Sequence, residues 1–260
     1  WSTDGRTFSK YRNNPILGNL TEGNRDPKVF WHEPTRQWVM VLYVRRGAMH
    51  IFNSGDLKSW ELASICEFPD AHECPELFEL PVDGNLDDTR WVIWEGAGRH
   101  MLGRFDGATF TSETTVLRSE WGNNCYAGQT WNSEPKGRRV FIGWMRGGKY
   151  PGMPFNQQMS FPRQLALRTT PAGIRLHQSP IEEIKNIYRG DRLSWTNLNL
   201  EPGADPLREY SGDLWDVRLQ VNPSQAGQFR FGFHGHELRF NSLDRSLSLF
   251  EKQVEIPQEL

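Results

Sequence analysis

Two short stretches hold the residues best suited to chemistry. Arg25-Asp26-Pro27 places a carboxylate before a proline, and His72-Glu73-Cys74-Pro75 sets an imidazole, a carboxylate and a thiol side by side, before an apolar run through Leu77 and Leu80. Two carboxylates sharing one pocket suit glycoside cleavage, in which one protonates the leaving oxygen while another attacks or stabilises an oxocarbenium-like carbon. The acid must keep its proton near neutrality. Desolvation next to an apolar strand, with Glu76 and Asp26 close by, is expected to raise the pKa of Glu73. The same stretches also read as plain turn-and-strand starts. Two other chemistries stay open: His72 and Cys74 as metal ligands, joined by Cys66 or Glu76, and Cys74 as a nucleophile with His72 as its base. His-x-Cys alone is not a metal-site motif, so neither metal nor cofactor is expected.

Whether the acids meet depends on the elements that carry them, and the chain repeats itself. STDGRTF, SGDLKSW and RFDGATF each set an aromatic four residues after an aspartate, and Asp4, Asp56 and Asp106 are 52 and 50 residues apart. Asp-Gly or Gly-Asp at such points signals a hairpin. A second series interleaves with the first: RDPKVFWHEPTRQWVMVLY, ECPELFELPVDGNLDDTRWVIWEG and AGQTWNSEPKGRRVFIGWM. Each member has a short strand, a turn, and a second strand rich in β-branched and aromatic residues. A period near fifty without helical periodicity predicts repeated four-stranded blades, an all-β propeller. Asp26 and Glu73 both precede an inner strand, and inner-strand starts converge at one end of the axial channel. The gap-free alignment, however, pairs Asp26 with Cys74 and Arg25 with Glu73, and neighbouring strand residues face opposite sides.

The first blade is expected to be incomplete, opening on an outer hairpin with no inner strand before it. The propeller is expected over residues 1–183. Residues 184–260 are expected to hold a linking helix in PIEEIKNIYRGD and the start of a β-sandwich, with strands in DLWDVRLQV and QFRFGFHGHELRF and turns at NPSQAG and NSLDRS.

Composition narrows the partners. Lys+Arg 30 against Asp+Glu 32 leaves no basic block for a phosphate backbone, so nucleic acid is not expected. No apolar stretch approaches bilayer-spanning length, and WSTDGRTF lacks the basic start and apolar middle of a signal peptide, so no membrane partner is expected. Three separated cysteines make neither a disulfide framework nor a zinc site. Eleven tryptophans suit both core packing and sugar stacking. Trp31 and Trp94 are candidates to border a sugar pocket, while Trp144 is expected to pack in its apolar strand.

Taken in order, Arg25-Asp26-Pro27, Glu73-Cys74-Pro75, Tyr126 to Thr130, Ile142-Gly143-Trp144-Met145 and MSFPRQLALR from Met159 resemble the blocks of glycoside hydrolase family 32. The resemblance implies a five-bladed β-propeller followed by a β-sandwich, and retaining hydrolysis of terminal fructosyl units through a covalent intermediate. It implies Asp26 as transition-state stabiliser, Glu73 as general acid/base, Arg25 as a substrate-binding neighbour, and Cys74 as a residue that tunes the acid/base. The substrate it implies is a fructose-containing oligo- or polysaccharide, met outside the cell or in the periplasm.

Two features depart from the family pattern. The family's nucleophile is an aspartate in an Asn-Asp-Pro motif, and this chain has none; Asn13-Asn14-Pro15 carries an amide instead. His72 stands where the family often has an aromatic or apolar residue. The chain by itself is therefore expected to be inactive, the alternative being a non-catalytic carbohydrate-binding propeller. The segment Lys149 to Arg163 resembles levanases and inulinases more than sucrose-phosphate hydrolases.

Overall fold

A computed structural model describes the chain except for residues 191, 213–214, 223–226, 250–251 and 256–260. The chain divides into two compact units, Trp1–Tyr188 and Arg189–Leu260.

The first unit is built of four-stranded antiparallel blades, each running from a strand that begins beside the acidic residues outward. One blade is β1 (Arg25–His32), β2 (Gln37–Arg45), β3 (Ala48–Ser54) and β4 (Glu61–Glu67). The next is β5 (Glu76–Val82), β6 (Asn85–Trp94), β7 (Arg99–Phe105) and β8 (Phe110–Ser112), with the short β9 (Leu117–Arg118) also on β7. The third is β10 (Cys125–Thr130), β11 (Arg139–Met145), β12 (Arg163–Thr170) and β13 (Gly173–Pro180). A single parallel pair, Leu167 with Val82, joins the second and third blades.

Stacking blades face to face buries both sides of each strand, which explains near-continuous apolar runs where a half-exposed strand would alternate. In β2, Val39 and Val41 enter the core between the first two blades, while Met40, Leu42 and Val44 pack on the opposite face with Phe52. In β5, Leu77 enters that first core, and Phe78, Leu80 and Val82 enter a second one between the second and third blades, with Trp94, Phe141 and Leu167. The alternation of strand side chains thus divides each of the first two blades between two cores.

The predicted aspartate turns share one local structure. One carboxylate oxygen of Asp4 accepts the N–H groups of Arg6 and Thr7, both at 2.8 Å. Asp56 does the same for Lys58 and Ser59, and Asp106 for Ala108 and Thr109. These are Asx turns, a chemistry local enough to be legible in four residues. Asp56 joins β3 to β4 and Asp106 joins β7 to β8. Around Asp4, Trp1 and Ser9 exchange two backbone hydrogen bonds of 2.8 and 2.9 Å, which close a loop; residues 1–24 form no strand, so the expected outer hairpin is corrected to a turn.

A 3₁₀ helix, Glu182–Ile187, stands where the linking helix is expected. The second unit contains one antiparallel sheet in chain order: β14 (Gln228–Phe233), β15 (His236–Asn241), β16 (Ser246–Leu249) and β17 (Lys252–Glu255). His234 and Gly235, at φ 45° and 75°, make the tight turn between β14 and β15. The turn at NSLDRS joins β15 to β16. Most of NPSQAG lies outside the described residues. The strand expected in DLWDVRLQV is corrected: 215–221 form no strand, and Trp215, Val217 and Leu219 are exposed rather than alternating in and out.

Candidate active site

Three inner-strand starts build the site, each with the same backbone irregularity. Asp26, Cys74 and Ala127 adopt left-handed conformations, with φ of 59°, 57° and 50°. The β1–β2 register shifts between Arg25 and Lys28, and the β10–β11 register between Tyr126 and Gln129. Left-handed backbone at a non-glycine residue is uncommon; with the register shifts it marks bulges in β1 and β10, while Cys74 makes the same kink just before β5. Its consequence is steric: a bulge interrupts the one-up, one-down alternation, so consecutive residues can reach the same cavity. The pairing of Asp26 with Cys74 holds, and Arg25 is what links the Asp26 and Glu73 carboxylates.

The residues before these kinks, Arg25, Glu73 and Tyr126, join in a line. Arg25 Nε donates to Glu73 Oε2 at 2.7 Å, and the Tyr126 hydroxyl donates to Glu73 Oε1 at 2.7 Å. Each donor is buttressed in turn. The Arg25 guanidinium lies 4.5 Å from the Tyr43 ring centroid, and Arg146 lies 4.1 Å from that of Tyr126. The kinked residues form a second contact: Asp26 Oδ2 accepts the Cys74 N–H at 3.1 Å and the Cys74 thiol at 3.5 Å. Arg25 Nε is also 3.9 Å from Asp26, so one guanidinium faces both carboxylates. Asp26, Pro27, Cys74 and Gln129 line a cavity of about 190 Å³. Gly96 ties two of the strand starts together: its N–H donates to the Glu73 carbonyl at 2.8 Å, its carbonyl accepts the Ala127 N–H at 2.8 Å, and a Cβ there would meet the Glu73 carbonyl at 3.0 Å.

The electrostatics correct one expectation. Glu73 has its pKa lowered, not raised, chiefly because the Tyr126 hydroxyl and then the Arg25 guanidinium hydrogen-bond its charged form; the smaller desolvation effect opposes them. Arg25 is correspondingly held above its usual value by Glu73. Cys74 is pushed up to about 12, first by burial and then by the Asp26 charge. Its thiol is therefore a hydrogen-bond donor to Asp26, and the thiolate that nucleophilic attack requires is disfavoured.

The remaining sequence candidates lie elsewhere. Trp94 is corrected to a core residue: it is 1% exposed and packs against Phe141 at 5.0 Å between ring centroids, leaving no face for a sugar. Trp31 is 40% exposed but sits six residues along β1 from Arg25, bonded to Glu33 and packed edge-on to Trp38. Glu76 is bonded to Lys28 and Thr130, away from His72. Tyr126, Gly96 and Arg146 are the site residues that the sequence reading did not assign. The start of the Tyr126 block at the same place in the repeat as Glu73 was their available signal. A larger hollow of about 300 Å³ in the second unit, lined by Gly235, His236, Glu237, Arg239 and Ser248, lacks paired carboxylates; its Glu237 bonds Arg239.

An acidic pair thus faces one arginine at neighbouring strand starts. The model of the glycosyl hydrolases family 32 N-terminal domain matches residues 1–180. The chain belongs to glycosyl hydrolase family 32. The family 32 N-terminal domain is a five-bladed β-propeller, and the three blades described above are part of that architecture. The levanase of Bacillus subtilis is 35% identical over 282 residues, covering 96% of this chain and 41% of its own. An extracellular exo-inulinase of Meyerozyma guilliermondii is 34% identical over 267 residues, covering 90% of this chain and 52% of its own. The family 32 chain thus spans about half or less of these relatives. A fructofuranosidase structure from Schwanniomyces occidentalis, complexed with fructose, matches with a TM-score of 0.75 and 25% identity over 98% of this chain and 58% of that one.

Proposed function

We propose that the protein is a retaining glycoside hydrolase that releases terminal fructosyl units from levan, inulin or sucrose. Glu73 is its general acid/base, and Asp26 stabilises the transition state through sugar hydroxyls. The observation that carries this reading is the Arg25–Glu73–Tyr126 line beside the Asp26–Cys74 contact, which sets two partly exposed carboxylates against one guanidinium, with Asp26 lining a small cavity. The leaving oxygen lies at Glu73, and Asp26 faces the sugar ring. Arg25 keeps both acids oriented. A retaining reaction needs a carboxylate nucleophile, which in this reading lies outside the 260 residues, so this chain alone is inactive. The named extracellular relative supports action outside the cell, or in the periplasm, on a fructose-containing polymer or oligomer.

One observation favours a second reading. Glu73 held ionised by two donors is the state of a sugar-binding carboxylate, which fits a non-catalytic carbohydrate-binding propeller. Fructose release from levan, inulin and sucrose, by this chain and by the chain extended upstream through an Asn-Asp-Pro blade, separates them. Release only by the extended protein supports hydrolysis. Levan binding without release by either supports the second reading.

A further inference from the structure

Three residues beyond Arg25 and Glu73 on their strands, a second layer bridges the same three blades. Lys28 Nζ donates to Glu76 Oε1 at 2.8 Å and to the Thr130 carbonyl at 2.5 Å. Glu76 Oε1 also accepts the Thr130 N–H, and Oε2 the Thr130 hydroxyl, both at 2.8 Å. Arg139 donates to the Thr130 hydroxyl at 3.3 Å from β11. Lys28 is 8% exposed and Glu76 1%. Lys28 and Glu76 are 48 residues apart, as are Arg25 and Glu73, so the two layers belong to the same repeat.

A buried ion pair is rarely the most stable solution, because apolar residues of similar volume avoid the desolvation of both charges. Its advantage is directional. The bonds among Lys28, Glu76 and Thr130 all run between inner strands, and they leave Lys28 and Glu76 little freedom to slide. Resting on the hydrolase reading above, we propose that Lys28, Glu76 and Thr130 are positioning residues, a clasp that fixes the spacing of Asp26 against Glu73 across the first two blades. Such spacing matters because a misplacement of about 1 Å can cost about 10²-fold in rate.

The test separates positioning from simple support. Lys28→Met leaves the Glu76 carboxylate buried without its partner and lowers the melting temperature. The double variant Lys28→Met, Glu76→Gln removes both charges, keeps an oxygen acceptor for the Thr130 N–H, and sets an amide donor against the Thr130 hydroxyl, which can accept it. It is therefore expected to recover most of the melting temperature while kcat on levan stays at least tenfold below wild type in the full-length protein. Recovery of kcat together with stability overturns the proposal. Should Lys28→Met fail to fold, the double variant alone carries the comparison. Wild-type fructose release reports separately on the hydrolase reading. Should wild type bind levan without cleaving it, that reading fails, and levan affinity becomes the readout: a tenfold loss in the refolded double variant supports the clasp, and unchanged affinity contradicts it.

Discussion

At the scale of single residues, the site turns on what surrounds the Glu73 carboxylate. General acid assistance commonly contributes about 10²–10⁴-fold, so Glu73→Gln should lose that much on substrates with poor leaving groups and far less on an activated aryl fructoside. Tyr126→Phe removes the donor that does most to hold Glu73 ionised. The pKa of Glu73 should then rise, and the alkaline limb of kcat/KM, which reports the free enzyme's acid, should move to higher pH. An unmoved limb would take Tyr126 out of the account. The lowered pKa also links to stability. The unfolded chain takes up this proton at higher pH than the folded one, so the stabilisation is fully present above the unfolded pKa and is lost as pH falls through the folded pKa. The difference in melting temperature between wild type and Glu73→Gln should therefore shrink in acid. Cys74, pushed up to about 12, should resist alkylation in the native protein at pH 8, read by mass spectrometry of the labelled peptides; rapid labelling there would restore the nucleophile reading.

At the scale of elements, the kinked strand starts do the positioning, and Gly96 packs closely against two of them. Gly96→Ala places a Cβ 3.0 Å from the Glu73 carbonyl and 3.4 Å from the Tyr126 ring. It should lower kcat/KM more than tenfold while the melting temperature drops only a few degrees; full activity would show that the loop yields freely. This is also the scale at which sequence reading succeeded and failed. The Asx turns at Asp4, Asp56 and Asp106 were legible because their chemistry is complete within four residues. The strand starts at Asp26 and Glu73 were legible from prolines and spacing. Their common orientation was not, because left-handed φ at Asp26, Cys74 and Ala127 leaves no mark in residue type. The pKa of Glu73 was misjudged for a related reason: its apolar neighbours are adjacent in sequence, while the donors that outweigh them come from strands 48 and 53 residues away. Trp94 and the DLWDVRLQV segment failed differently. An aromatic suits a core as well as a sugar, and an alternating pattern needs a partner strand before it becomes one.

At the scale of the whole molecule, the repeat explains why chemistry sits where it does. Blades stacked through two shared cores set inner-strand starts side by side, so residues far apart in sequence become neighbours without any loop having to carry them. The central claim is that this convergence makes Glu73 the acid of a fructosidase. Its most direct test is the rate of fructose release from levan by the full-length protein and by its Glu73→Gln variant, each compared with an aryl β-fructofuranoside. The account requires release by wild type, a loss of about 10²–10⁴-fold on levan in the variant, and a much smaller loss on the aryl substrate. Equal rates on levan for both proteins, or levan binding by wild type without any fructose released, would contradict it.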